Sequence, residues 1–294
     1  MRAQKWTNLT ALVILLMAAA AMSFTGCAEK VEEAPKTLLG SALEEAKQKD
    51  QLVLASFKTE WCTWCKRLDT VTFVDSAVIA LFDSIVLVKI DAEVDSVDAE
   101  KYAIQGYPTS VLMSNDGVEI DRIGGYLPPA EFIETIADYR NGIGTLDYYL
   151  ALADTLKDNK TQYAIAEKYA DRGKFTEAVE YYNKVIEADP DNKDSLTDQS
   201  MMSLGSILLR EKKYEESVAQ FGKVMEKFKD LESAADAEIW TAIVYRKMGD
   251  TTKAIEWFEG FIKHYPESAD TSYAQSQIEK LKNPPPPVEE EEGK

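Results

Sequence analysis

The chain has 294 residues, with 33 lysines and arginines against 51 aspartates and glutamates, for a net charge of −18. A surface this acidic repels nucleic acid, so no nucleic-acid partner is expected. The only histidine, His264, lies roughly 200 residues beyond the Cys62/Cys65 pair, so that pair has no nearby partners to complete the four ligands of a structural zinc centre, and the length suggests two domains.

Arg2 and Lys5 give a positive start, and an apolar run follows from Leu9 to Met22. As a helix of about 14 residues it would span roughly 21 Å, short of a ~30 Å hydrocarbon core. Residues 1–26 therefore read as a cleaved secretory signal rather than a permanent span. The stretch Phe24-Thr25-Gly26-Cys27 resembles a bacterial lipoprotein signal, although Phe24 stands where leucine is more usual. That resemblance implies that Cys27 is lipidated and becomes the new N-terminus. The protein would then be anchored to a bacterial membrane and face the periplasm or the cell exterior. An ordinary cleaved signal with a stray cysteine is the alternative. Residues 27–36 supply the lipidated cysteine and a short flexible stalk. Removing Arg2 and Lys5 with the signal leaves 31 basic residues and a charge of 31 − 51 = −20. So few cysteines in an exported chain mean that packed cores, not staples, must stabilise it.

Residues 37–142 alternate helical and extended patterns. A helix is expected over Leu38–Lys49 and a strand over Leu52–Phe57. Two cysteines follow in Trp61-Cys62-Thr63-Trp64-Cys65-Lys66, at the mouth of a helix-compatible run from Trp64 to Leu68. Unpaired amides at a helix start favour a thiolate at Cys62, and Cys65, about one turn on, can resolve a mixed disulfide. A purely structural disulfide is the blander reading. So short a loop yields only about 2 kcal/mol, against more than 4 for a loop near 100 residues, so redox chemistry is favoured. A short helix including Val78–Phe82 comes next. Strands are then expected at Ile85–Asp91, Thr109–Ser114 and Val118–Ile123, with a turn at Asn115-Asp116-Gly117. A last helix over Pro129–Tyr139 completes an α/β layered domain.

These residues resemble the thioredoxin fold. The match is best to the subgroup whose Trp-Cys-x-x-Cys-Lys motif is followed by Thr-Phe-x-Asp, here Trp61 to Lys66 and then Thr72-Phe73-Val74-Asp75. Gly106-Tyr107-Pro108-Thr109 and the Gly124-Gly125 pair match two further signatures. The resemblance implies that Pro108 is cis and faces the dithiol, and that Trp61, Tyr107 and Pro108 bind an extended substrate segment. Thioredoxins also carry a buried acid before the motif with a companion lysine. Ser56 and Leu87 stand at those positions, so the resolving step is expected to be arranged differently. Lys58 and Lys66 flank the dithiol, where they either favour a thiolate or are simply solvated.

Residues 145–282 repeat. A small residue, another 12 later, an aromatic 4 on and a proline 8 on read Ala166, Ala178, Tyr182, Pro190, and again Ala242, Ala254, Phe258, Pro266. The middle unit gives Gly205, Ser217, Phe221 and then Lys229. Each unit is expected to be two amphipathic helices joined at Gly173-Lys174, Lys212-Lys213 or Gly249-Asp250. The pattern resembles about three tetratricopeptide repeats, which implies an all-α solenoid with a concave protein-binding face. Leu146–Leu156 reads as a joining or capping helix. Tyr181, Tyr182, Trp240, Tyr245, Trp257 and Phe258 read as mostly core, and His264 as incidental. Residues 283–294, rich in proline and glutamate, read as a disordered tail.

The expected function is a membrane-anchored, extracytoplasmic thiol–disulfide oxidoreductase. Cys62 would be the nucleophile, Cys65 the resolving thiol, and reduction the favoured direction. Its partners would be a protein disulfide substrate, a membrane electron donor and a protein held by the repeats; no cofactor or resident metal is expected. Two other classes stay open. One is a non-catalytic lipoprotein scaffold or assembly factor that binds proteins through both domains. The other is a metal chaperone.

Overall fold

The computed structural model describes residues 37–284. The signal, Cys27, the stalk and residues 285–294 of the tail lie outside the described residues. Thr37 caps the first helix, α1 (Leu38–Lys49), by accepting the Gly40 amide at 3.0 Å. Strand β1 (Leu52–Lys58) leads into the dithiol helix α2 (Thr63–Arg67). That helix widens into a π turn over Leu68–Thr72, closed by a bond from the Phe73 amide to the Leu68 carbonyl at 2.9 Å. Helix α3 (Ser76–Leu81) starts at Ser76, where Asp75 caps it by accepting the Ala77 amide at 2.9 Å, and Phe82, expected within the helix, is its C-cap. Then come β2 (Ile85–Asp91), α4 (Ser96–Lys101), β3 (Thr109–Met113), β4 (Glu119–Gly124) and α5 (Pro129–Arg140). The short α4 has no counterpart in the sequence reading.

The sheet order is β2-β1-β3-β4, with β1 parallel to β2 and every other pairing antiparallel. Alternation along β1 divides the core. Val53, Ala55 and Phe57 pack with Leu39, Ala42 and Ala46 of α1, while Leu54 packs with Leu68, Val78, Phe132 and Ile136 on the opposite face. Burying each of the larger side chains stabilises the fold by roughly 1.5–3 kcal/mol. The second face carries the dithiol helix, so one apolar layer fixes the position of the cysteines.

The rest is helical: α6 (Leu146–Ala153), α7 (Asn159–Asp171), α8 (Phe175–Ala188), α9 (Thr197–Arg210), α10 (Tyr214–Lys227), α11 (Glu232–Met248), α12 (Thr251–His264) and α13 (Thr271–Lys282). Helix α6 stops at Ala153, short of Leu156. Helices α7/α8, α9/α10 and α11/α12 form three hairpins, and α13, absent from the sequence reading, closes the last through buried Ala274. The small and aromatic repeat positions converge on the core, whereas Pro190, Lys229 and Pro266 at the last offset are exposed. Ala166, Ala178, Tyr182, Ser217, Phe221, Ala242, Ala254 and Phe258 are fully or almost fully buried. The hairpin turns sit at equivalent positive-φ residues, Gly173 at 68°, Lys212 at 61° and Gly249 at 79°. His264 is not incidental, since its Nδ1 lies 2.9 Å from Oε1 of the buried Glu238.

The two halves are joined by charge. Asp121 on β4 is 0 % exposed. Its carboxylate accepts Lys168 Nζ at 2.8 Å and the Leu146 amide at 2.8 Å, and lies 3.2 Å from the Arg172 guanidinium. Arg122 donates to Glu119 at 2.8 Å and to the Asp171 carbonyl at 2.8 Å. Buried charges survive only when paired and hydrogen-bonded in this way, so the start of the repeat array is held against β4.

Candidate active site

Cys62 sits at the N-cap of α2, its backbone extended, because the chain leaves β1 through the Thr59–Trp61 turn and must reverse into the helix. The helix then places Cys65 one turn on, and the two sulfurs are joined in a disulfide across a Cα–Cα distance of 5.2 Å. The Cys65 amide donates to Cys62 Sγ at 3.0 Å. The same bond would favour the thiolate once the pair is reduced.

The disulfide is recessed rather than open to solvent. In the disulfide form Cys62 is 4 % exposed and Cys65 is 3 % exposed. Their neighbours carry the surface instead, with Trp61 at 66 % and Trp64 at 58 % exposed. Trp61 donates its Nε1 hydrogen to Glu93 at 2.8 Å and meets the Tyr107 ring edge-on at 6.1 Å between centroids. Trp64 stacks on Tyr126 at 5.7 Å, and the Arg67 guanidinium lies 5.3 Å from the centroid of the same ring. An aromatic rim thus surrounds a recessed disulfide.

The Tyr107–Pro108 peptide bond is cis. The Pro108 carbonyl accepts the Gly125 amide at 2.8 Å, and Thr109 Oγ1 donates to the Gly106 carbonyl at 2.8 Å. These bonds fix the segment as a ledge between β3 and β4. Tyr107, through its contact with Trp61, joins that ledge to the dithiol.

A cavity opens beside Cys65. Lys58, Thr59, Glu60, Cys65, Lys66, Asp69 and Asp91 line a cavity of about 370 Å³. Lys58 is not free to act on the dithiol, because it donates to Asp69 at 3.0 Å, while Lys89 pairs with the other carboxylate oxygen. Burial alone would push the Asp69 carboxyl up, but the two ammonium partners outweigh it and hold the group below the ordinary aspartate range. Beneath α2, Ser56 is buried and in register with Lys89 on one side and Ser110 on the other. The position of the missing buried acid is therefore the centre of a polar row across three strands, and the acid of this site hangs from the helix above. Asp69 escaped the sequence reading although it lies four residues after Cys65 and hence on the same helix face. That spacing was the available signal. Glu93 and Tyr126 were also missed, and nothing local marks either.

Comparison with known proteins agrees with this architecture. Residues 39–140 match the thioredoxin-like domain family, and residues 160–192 and 236–268 each match a tetratricopeptide repeat family. The thioredoxin of Chlamydia trachomatis is 32 % identical over 89 residues, covering 30 % of this chain and 83 % of that protein. The thioredoxin of Echinococcus granulosus is 33 % identical over 95 residues, covering 32 % of this chain and 85 % of that protein. The chloroplastic thioredoxin Y1 of Arabidopsis thaliana is 33 % identical over 116 residues, 40 % of this chain and 66 % of its own length. The chain thus spans just under two thirds of that relative. The matched segments leave the helical hairpin around Gly205 and Phe221 between them.

Proposed function

The chain belongs to the thioredoxin family, and on that premise we propose that Cys62 and Cys65 carry out thiol–disulfide exchange on protein substrates. The observation that carries the reading is the disulfide between them at the start of α2, with an amide donated to the Cys62 sulfur. In the reducing direction the Cys62 thiolate attacks one sulfur of the client disulfide, and the other leaves as a thiolate. The Cys65 thiolate then attacks Cys62 Sγ, the client's second sulfur departs, and the chain is left with the Cys62–Cys65 disulfide. The client gains two electrons and two protons, and the dithiol is restored by a donor dithiol of matching potential. The Trp61 to Lys66 motif favours reduction over oxidation or isomerisation.

Trp61, Tyr107 and Pro108 are the surface for the client backbone. The recessed disulfide admits a narrow, extended segment more readily than a folded surface. Asp69, at the cavity beside Cys65, supplies the polar route by which the resolving thiol loses its proton to water. Location belongs to the same proposal. The apolar run before Cys27 and its small-residue flank support a lipid anchor and an extracytoplasmic site of action, which in turn calls for a membrane electron donor. No helix among the described residues is long and apolar enough to cross a membrane.

A Cys65→Ala variant tests the chemistry. It should accumulate client proteins disulfide-linked through Cys62, visible as reducible high-mass bands that disappear in the Cys62→Ala/Cys65→Ala double variant. Absence of such adducts, together with no turnover of a model protein disulfide, would sink the proposal and leave a scaffold that binds proteins through both domains.

A further inference from the structure

A groove runs along the repeat array between two cavities, and only its near end touches residues of the exchange chemistry. Along α9, Gln199, Met202, Ser206 and Arg210 follow one another at helical spacing and share one face. At 1.5 Å per residue that stripe is about 16 Å long. Tyr163 and Asp171 mark the matching face of α7, eight residues apart.

The two ends of the groove differ in chemistry. At the far end a cavity of about 430 Å³ is lined by Tyr163, Asp198, Glu232, Ser233, Asp236 and Trp240 among others, with three carboxylates and no basic residue. At the near end a cavity of about 250 Å³ is shared between the halves of the chain. Arg210 and Asp171 face Tyr107, Pro108 and Gly125 there. One helix face therefore runs from an acidic pocket to the ledge beside the dithiol.

Acidic residues are common in this chain, so their number alone says little. The far pocket has something more specific. Asp198 is 8 % exposed, and its Oδ1 is buried without a hydrogen-bond partner; the Oγ of buried Ser233, in the same lining, has none either. A buried carboxylate oxygen left unpaired is costly, and a donor with positive charge relieves the cost most. Asp236 is pushed up by burial and by the neighbouring Glu232 and Asp270, as expected where negative potential accumulates. Trp240, which the sequence assigned to the core, is 37 % exposed and stacks on Phe221, offering an aromatic face to a cation. A lysine or arginine side chain supplies both the positive charge and the donors that the unpaired Asp198 oxygen lacks.

We propose that this groove seats a lysine- or arginine-bearing segment of the client, its cationic side chains in the acidic pocket and its disulfide delivered along α9 to the Tyr107–Pro108 ledge and Cys62. The inference rests on the exchange reading and adds the class of client, an extended basic polypeptide. The Asp121 network supports it, because it holds the groove and the ledge in a fixed relation.

The test uses the full chain and two fluorescein-labelled peptides without cysteine, one lysine-rich and one its glutamate counterpart, followed by fluorescence anisotropy. The lysine peptide should bind at least about tenfold more tightly than the glutamate one, and an Asp198→Asn/Glu232→Gln/Asp236→Asn variant should lose about that factor. Equal affinity for the two peptides, binding of neither, or a variant that binds like the parent overturns the proposal. Should the triple variant fail to fold by circular dichroism, Asp236→Asn alone is expected to weaken binding several-fold, and no weakening there overturns it equally. A second pair of peptides carrying an internal disulfide separates the two readings. Reduction without charge preference means the groove is wrong, whereas charge-selective binding without reduction means the exchange chemistry is wrong. Self-association of the chain that competes with the lysine peptide would assign the groove to a second copy and also overturn the proposal.

Discussion

Asp121→Ala should separate the unfolding of the two halves. The carboxylate is sealed from solvent and receives Lys168 at 2.8 Å, the first amide of α6 at 2.8 Å and Arg172 at 3.2 Å. Arg172 keeps a second carboxylate, Glu119 at 3.1 Å, but Lys168 is left with only the Tyr139 hydroxyl at 3.1 Å. Removing one partner of a buried ion pair costs about 3–5 kcal/mol, chiefly because the remaining charge stays buried without compensation. Lys168 is partly exposed, at 16 % of its side chain, so the lower half of that range applies. At roughly 2–4 °C per kcal/mol for a chain of this size, the melting temperature should fall by about 6–16 °C. Denaturant unfolding provides the assay. Trp61 and Trp64 report one half and Trp240 and Trp257 the other, and single-tryptophan variants would show the two transitions pulling apart. Adding Lys168→Met to Asp121→Ala should recover about 1 kcal/mol or more, since it removes the stranded charge. A midpoint within about 0.5 kcal/mol of the parent, or strictly additive losses in the double variant, would refute the argument.

Three further outcomes follow from the packing and the charges. A Cβ at Gly205 would lie 2.5 Å from Cε1 of the fully buried Phe221, so Gly205→Ala should lower stability by about 1–2 kcal/mol despite alanine's better helix propensity; a raised urea midpoint would contradict this. Lys212 is exposed and left-handed at the turn position that the other two hairpins give to glycine. Lys212→Gly should therefore stabilise the chain by about 0.5–1 kcal/mol, and a drop in thermal midpoint would count against it. Asp69 is held below its ordinary range, so its contribution is complete above the unfolded value near 3.9 and disappears as pH falls through the lower folded value. The parent should consequently lose more stability than Asp69→Asn between pH 5 and pH 2, and parallel pH profiles would show that the two lysines do not favour the ionised form.

What the sequence made legible is local. The dithiol sits where a strand becomes a helix, and every element in that transition is written within about a dozen residues. The repeats were readable because each unit places small and aromatic residues at the same offsets, and Ala166, Gly205 and Ala242 occupy equivalent buried positions. Failures occurred where a partner arrives from far along the chain. Asp121 and Lys168 are 47 residues apart, His264 and Glu238 are 26 apart, and nothing in either local pattern marks a pair. Helix α4 was too short to show a period. Helix α13 does carry Ala274, Ile278 and Leu281 at helical spacing, but its buried Gln277 interrupts the apolar stripe.

The missing acid follows the same division. Reading along β1, Ser56 marks only an absence, because the residue that faces Cys65 does not lie on that strand. Asp69 approaches from the dithiol helix, and its charge is compatible with a site beneath the helix because Lys58 and Lys89 rise from adjacent strands to meet it. A carboxylate there without those lysines would oppose ionisation of the nearby thiol; with them, the cluster carries a net positive charge. If the cluster governs the resolving step, Asp69→Asn should leave formation of the Cys62 mixed disulfide intact while changing the pH dependence of its release, read by single-turnover kinetics on a model disulfide. A release step with the same pH profile in both proteins would mean that the Cys65 proton leaves by another route.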